Sequence, residues 1–379
     1  MSARDPHEEG RIASALELLF DLCFVVAVAQ AAAQLHHALS GDAAHHVAPH
    51  IGHGLLGYAL VFYAIFWAWL NFTWFASAFD TDDGMFRFTT LVQIGGVLVL
   101  AAGVPAAFEA LDFTVPVMGY VIMRLAMVSQ WLRVAKSCPE LRPTAMRYAI
   151  GIVLVQIGWL LWLWIPHGPM ALAAFAVLAL GEGAVPVVAE NAGQTPWHRH
   201  HITERYGLFN IIVLGEVITA STAAIGDAAG GHSGHVLPMI GLAAAGLVIV
   251  FSMWSLYFDH PAHHVLTSFG RAIAFGFGHI VIFAAAAMVG AGIEVAIDFD
   301  TGKTSLGPVA AALALTVPVA IYLLAVWLLI IRHLRTGPAS YAFPVSALAV
   351  LAVSFSPAPI HISAAILATL VFFTGRTKS

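Results

Sequence analysis

The sequence predicts an all-α, polytopic membrane bundle of about twelve transmembrane helices, and three observations predict it. The 379 residues are 60% hydrophobic and only 10% charged, against roughly 45–50% and 25% in soluble domains. The apolar residues gather in about twelve runs of roughly 17–28 residues, enough for a helix to cross ~30 Å of hydrocarbon. Lys and Arg fall almost wholly on one side of those runs. A lipid bilayer is the expected surrounding. Soluble enzymes, nucleic-acid binders and disulfide-rich secreted domains are excluded. Cys23 and Cys138 supply neither a disulfide framework nor a zinc signature.

Taken in order, the spans fall near 16–39, 51–79, 85–111, 115–136, 144–166, 169–190, 202–226, 236–258, 269–296, 306–331, 338–355 and 358–374. Turn chemistry separates them at Ser40-Gly41-Asp42, Asp80 to Gly84, Pro166 to Pro169, Asp300 to Lys303 and Thr336-Gly337-Pro338. With the N-terminus inside, the inner segments hold Arg4, Arg11, Arg87, Arg133, Lys136, Arg142, Arg147, Arg199, Arg205, Arg271, Arg332, Arg335, Arg376 and Lys378, 14 of the 16 basic residues. Lys303 alone lies outside, and Arg124 lies within a span. Such asymmetry in short loops predicts a bacterial inner-membrane protein with both termini cytoplasmic. The first run follows Asp5, Glu8 and Glu9 and is full length for a span, unlike a cleaved signal.

Glu17 and Glu204, Trp67 and Trp254, and His45 and His232 are each 187 residues apart. The spacing predicts a parallel duplication: an N-terminal segment 1–15, six-helix halves 16–190 and 191–374, and a tail 375–379. A site between such halves would lie near mid-depth.

Charged side chains in hydrocarbon cost about 2.5–3.5 kcal/mol on insertion scales, so each is a functional candidate. Glu17 and Asp21 share a helix face at i, i+4 near the inner surface, where capping competes as an explanation. Gln30 and Gln34 extend that polar face. Glu204 and Arg205, with His201 a turn earlier, sit at the inner boundary and read as gate or structural groups. Glu216 lies twelve residues beyond Glu204, about 18 Å along a helix, and Gly215 beside it invites close helix approach. Glu182 is flanked by Gly181 and Gly183. Arg124 cannot lose its charge and needs a partner: Glu216, Glu182 or Asp21. Glu216, Arg124, Asp21 and Glu182 are thus the candidates for binding a solute or a proton.

Histidines 36, 37, 45, 46, 50 and 53 surround the first outer loop, and His232 and His235 the corresponding later one; loop polarity explains them, and no metal is assigned. Asp80, Asp82 and Asp83 could suit magnesium, but a solvated turn explains them too. Trp67, Trp69 and Trp74 read as packing. No phosphate loop or nucleophile elbow appears, so no cofactor and no enzymatic activity are expected.

Leu16 to Val25 resembles the opening motif of the bacterial low temperature requirement protein A (LtrA) family. So do Trp67 through Asp83 followed by Arg87, and Tyr120 to Leu125. His201-x-x-Glu204-Arg205-Tyr206-Gly207-Leu208-Phe209, ending in Leu214-Gly215-Glu216, is similar to its most distinctive segment, and Trp254 to Asp259 fits the eighth span. The resemblance implies a polytopic bacterial membrane protein linked to growth in the cold, and names no substrate. The residues themselves favour a proton-linked secondary transporter of a small solute. A non-catalytic membrane sensor or assembly factor is the alternative, and an enzyme acting on lipid or isoprenoid a further one.

Overall fold

The computed structural model describes residues 1–6, 8, 10–41, 48–230 and 236–376. His45, His46, Glu9, His232, His235 and Lys378 lie outside them. The described chain is helical, with no strand. Its long elements are α1 (Ala15–Ser40), α2 (Ile51–Phe79), α3 (Gly84–Ala102), α4 (Thr114–Ser137), α5 (Arg142–Trp162) and α6 (Pro169–Glu190). They continue as α7 (Arg199–Gly230), α8 (Val236–Phe258), α9 (Phe269–Asp300), α10 (Pro308–Leu334), α11 (Pro338–Phe355) and α12 (Pro359–Arg376).

Among the described residues, ten of these helices are long and apolar enough to cross a membrane. The third expected span, 85–111, divides at Gly103 into α3 and the short helix Val104–Glu109.

The starts of the helices follow local chemistry. Ser14 and Glu17 form a reciprocal capping box, with Ser14 N–H donating to Glu17 Oε2 at 2.8 Å and Glu17 N–H to Ser14 Oγ at 3.3 Å. Asp83 caps α3 by accepting from Phe86 N–H at 2.8 Å, and Ser268 caps α9. Proline opens α6, α10 and α11, where its missing N–H costs nothing. Pro318 sits inside α10, which carries a π turn at Trp327–Ile331.

Two compact units form. One comprises Met1–Gln30 with Tyr63–Arg205, the other Ala31–Phe62 with Tyr206–Ser379. In the first, α3 and α4 run antiparallel with Gly96 and Gly119 at the contact. A Cβ on Gly119 would lie 2.5 Å from both Gly96 O and Leu100 N. Backbone atoms cannot swing away as a side chain can, so the helices would have to separate. Gly119→Val is expected to cost about 1–3 kcal/mol or more, read as a lower thermal midpoint of the purified protein; an unchanged midpoint would show that the contact is dispensable.

In the second unit α9 packs as closely on α10, since a Cβ on Gly292 would meet Ala314 O at 2.5 Å. The Tyr322 hydroxyl accepts from Asn210 Nδ2 at 3.1 Å and donates to Met253 O at 3.1 Å. That single hydroxyl links α7, α8 and α10.

Candidate functional site

The first unit contains two buried ion-pair centres. At the first turns of α1, Glu17 and Asp21 face Arg205 of α7, which is fully buried. Arg205 Nη1 lies 2.7 Å from Glu17 Oε1, and Nη2 donates to Asp21 Oδ1 at 2.5 Å. Trp69 Nε1–H adds a bond to Asp21 Oδ1 at 2.7 Å, and His201 Nε2 lies 3.1 Å from Glu17 Oε1. Two carboxylates at i, i+4 would repel one another; one guanidinium between them removes the repulsion and ties α1, α2 and α7 together. Glu204, half-buried, accepts from Ala13 N–H at 3.1 Å. Its charges pair with one another, although Glu17 Oε1, Arg205 Nη1 and His201 Nδ1 lack a partner in hydrogen-bond geometry among the described residues. Gln30, nine residues beyond Asp21, is exposed, so the buried polar face of α1 does not extend that far.

The second centre is built differently. Arg124, near the middle of α4, pairs through Nη2 with Glu182 of α6 and also donates to the Tyr120 hydroxyl. Glu182 further accepts from Tyr120 OH at 2.7 Å, Trp67 Nε1–H at 2.8 Å and Trp159 Nε1–H at 3.2 Å. Four donors from α2, α4 and α5 thus converge on one carboxylate. Arg124 Nε and Nη1 likewise have no hydrogen-bond partner among the described residues. Beside the pair is a cavity of about 30 Å³ walled by Tyr63, Trp67, Tyr120, Trp159, Trp162 and Phe175. Of the three candidate partners for Arg124, Glu182 is the one that meets it, while Asp21 belongs to Arg205. Trp67, read from sequence as packing, carries a polar duty because its indole N–H reaches Glu182.

Glu216 lies in the second unit, half-buried, with no ion pair or hydrogen bond there among the described residues. The space beside Gly215 is open; α7 approaches α9 closely at Gly290 instead, whose added Cβ would lie 3.5 Å from Val217. In the same unit His36 is no loop residue. It sits in α1, 2.7 Å from Asp298 Oδ2 and 3.3 Å from Glu294 Oε2, and Ser40 Oγ donates to Asp298 at 2.7 Å.

The Asp80, Asp82 and Asp83 turn is explained by local bonds. Asp83 caps α3 and pairs with Arg133 at 2.6 Å, and the Phe86 N–H and that guanidinium hold its carboxyl near pKa about 2. Arg87 keeps the Asp82 carboxyl low, whereas burial raises that of Asp80. Among the described residues no group of three or more His, Cys, Asp or Glu is placed to hold a metal. Nearby, Arg11 is buried against the Ala76 and Ser77 carbonyls, and desolvation lowers its pKa to about 10. It borders an open cleft of about 890 Å³ lined also by Glu8, Trp197, His198 and His200.

A curated relative, an uncharacterized protein of Rhizobium meliloti, is 27% identical over 216 residues, covering 54% of this chain and 49% of that protein. The chain therefore spans about half the length of the curated relative it matches. Residues 12–374, nearly the whole chain and including both ion-pair centres, match the profile of the bacterial low temperature requirement A protein, and the chain belongs to that family.

Proposed function

We propose that this multi-pass membrane protein is a proton-linked secondary transporter of a small solute, with Arg124 and Glu182 as its internal binding site. We place it in the bacterial inner membrane with both termini cytoplasmic, on the distribution of its basic residues. One observation carries the transport reading: a guanidinium 3% exposed, halfway along an apolar helix, keeps two nitrogens without partners beside an aromatic cavity. Leaving a buried donor unmet costs about 1–3 kcal/mol, a cost that a bound solute would relieve. We assign the proton of this reading to Glu182, the carboxyl that meets Arg124 in the site.

The test uses purified protein in liposomes with a trapped pH dye, challenged in turn with amino acids, sugars, organic amines and organic acids. At least one class is expected to drive proton movement in the wild type, and Glu182→Gln to abolish it. Full solute-driven proton movement in that variant would overturn the proton role, and none in the wild type would overturn transport. The self-paired Glu17–Asp21–Arg205 centre favours a second reading, a sensor or assembly factor. It predicts that Glu182→Gln changes folded yield and nothing else.

A further inference from the structure

Arg124 is joined by a second buried group lacking partners. Gln156 of α5 is 7% exposed, and among the described residues neither its Oε1 nor its Nε2 has a hydrogen-bond partner. The antiparallel pairing of α4 and α5 is set by Trp131 stacked on Tyr148, ring centroids 4.0 Å apart. Arg124 lies seven residues before Trp131 and Gln156 eight after Tyr148. At 1.5 Å per residue the two reach nearly the same level. Buried donors and acceptors are almost always met in folded proteins, by ordered water or a ligand where no protein group serves. Trp67, Tyr120 and Trp159, which hold the Glu182 carboxylate, also wall the adjoining apolar cavity.

We infer that Arg124 and Gln156 bind a small monovalent oxyanion bearing a short apolar tail, taken up together with one proton on Glu182. The inference rests on the transport reading of the same site and names its substrate class. The guanidinium and the Gln156 amide N–H donate to the oxyanion, and the aromatic cavity receives the tail. Its volume of about 30 Å³ is room for roughly two waters or a methyl-sized group, so the tail is short. Charge balance supplies the coupling. With Glu182 ionised the pair is neutral, and an added anion would leave one uncompensated buried negative charge, which is costly. With Glu182 protonated, Arg124 and the anion balance each other, so anion and proton load as one neutral unit. The charged and titratable groups facing Glu182 are Arg124 and Tyr120 from α4 and Tyr63 from α2; α5 presents Trp159.

The probe is methanesulfonate, a permanently ionised anion that cannot cross lipid as a neutral acid. Dimethyl sulfone, of similar shape and no charge, is the control. Thermal stabilisation of the purified full-length protein reads binding to the native state. Methanesulfonate is expected to stabilise at concentrations at least tenfold lower at pH 5 than at pH 7.5, and dimethyl sulfone to do nothing. Gln156→Leu should weaken binding at least tenfold while keeping the unliganded midpoint, and Glu182→Gln should make binding independent of pH. Stabilisation by neither compound, equal stabilisation by both, wild-type binding in Gln156→Leu, or a pH dependence that survives Glu182→Gln would overturn the assignment. Methanesulfonate binding without any solute-driven proton movement overturns the transport reading alone. Proton movement driven only by amines or sugars, with no methanesulfonate binding, overturns the anion assignment alone.

Discussion

Arg205→Ala is expected to destabilise the protein by about 3–5 kcal/mol, the range for removing one partner of a buried ion pair. The size follows from what remains. Glu17 and Asp21 stay buried a helix turn apart, and the cation between them is gone. His201 still touches Glu17 and Trp69 still donates to Asp21, but neither supplies a permanent positive charge. Adding Glu17→Gln and Asp21→Asn to Arg205→Ala should recover part of the loss, because the triple variant buries no net charge. The measurement is thermal unfolding of the purified variants at matched pH and ionic strength. A triple variant less stable than Arg205→Ala would mean that hydrogen-bond geometry, not charge, holds this centre.

How much of this could be read from the chain depends on sequence distance. The span positions were legible because apolar runs and turn residues are local signals, and α1, α2, α6 and α8 begin or end within about two residues of expectation. The Ser14-x-x-Glu17 capping box stood in plain sight and explains why α1 starts at Ala15. Glu17 and Asp21 were recognisable as one face, yet nothing local connects them to Arg205, 184 positions away. The same holds for Arg124 and Glu182, separated by 58 positions: the need for a counter-charge was evident, its identity was not. Trp67 misled because indole counts as apolar in composition while its N–H is a donor. Gln156 was overlooked, although a lone amide in an apolar helix is the same kind of signal as a lone charge. His36 was grouped with the loop histidines although the expected span 16–39 already contained it, and α1 indeed runs on to Ser40.

Arg124→Ala should separate the two ion-pair centres by their consequences. Glu182 would keep its Tyr120, Trp67 and Trp159 donors and can take up a proton, so no uncompensated charge need remain. The stability loss is accordingly expected near 1–3 kcal/mol, smaller than for Arg205→Ala, which leaves two carboxylates facing one another. The functional loss runs the other way. A charge-assisted hydrogen bond is worth about 1.5–3 kcal/mol, so losing one costs roughly ten- to hundredfold in affinity, and Arg124 offers two unclaimed nitrogens to an occupant. Solute-driven proton movement should therefore vanish in Arg124→Ala while the protein stays folded. For Arg205→Ala, loss of movement should track loss of folded protein, and the flux per folded molecule should be kept. Measuring folded fraction and proton flux on the same preparations decides the matter. If both variants lose flux only in proportion to folded protein, Arg124 and Glu182 are a second structural clamp and the internal site lies elsewhere.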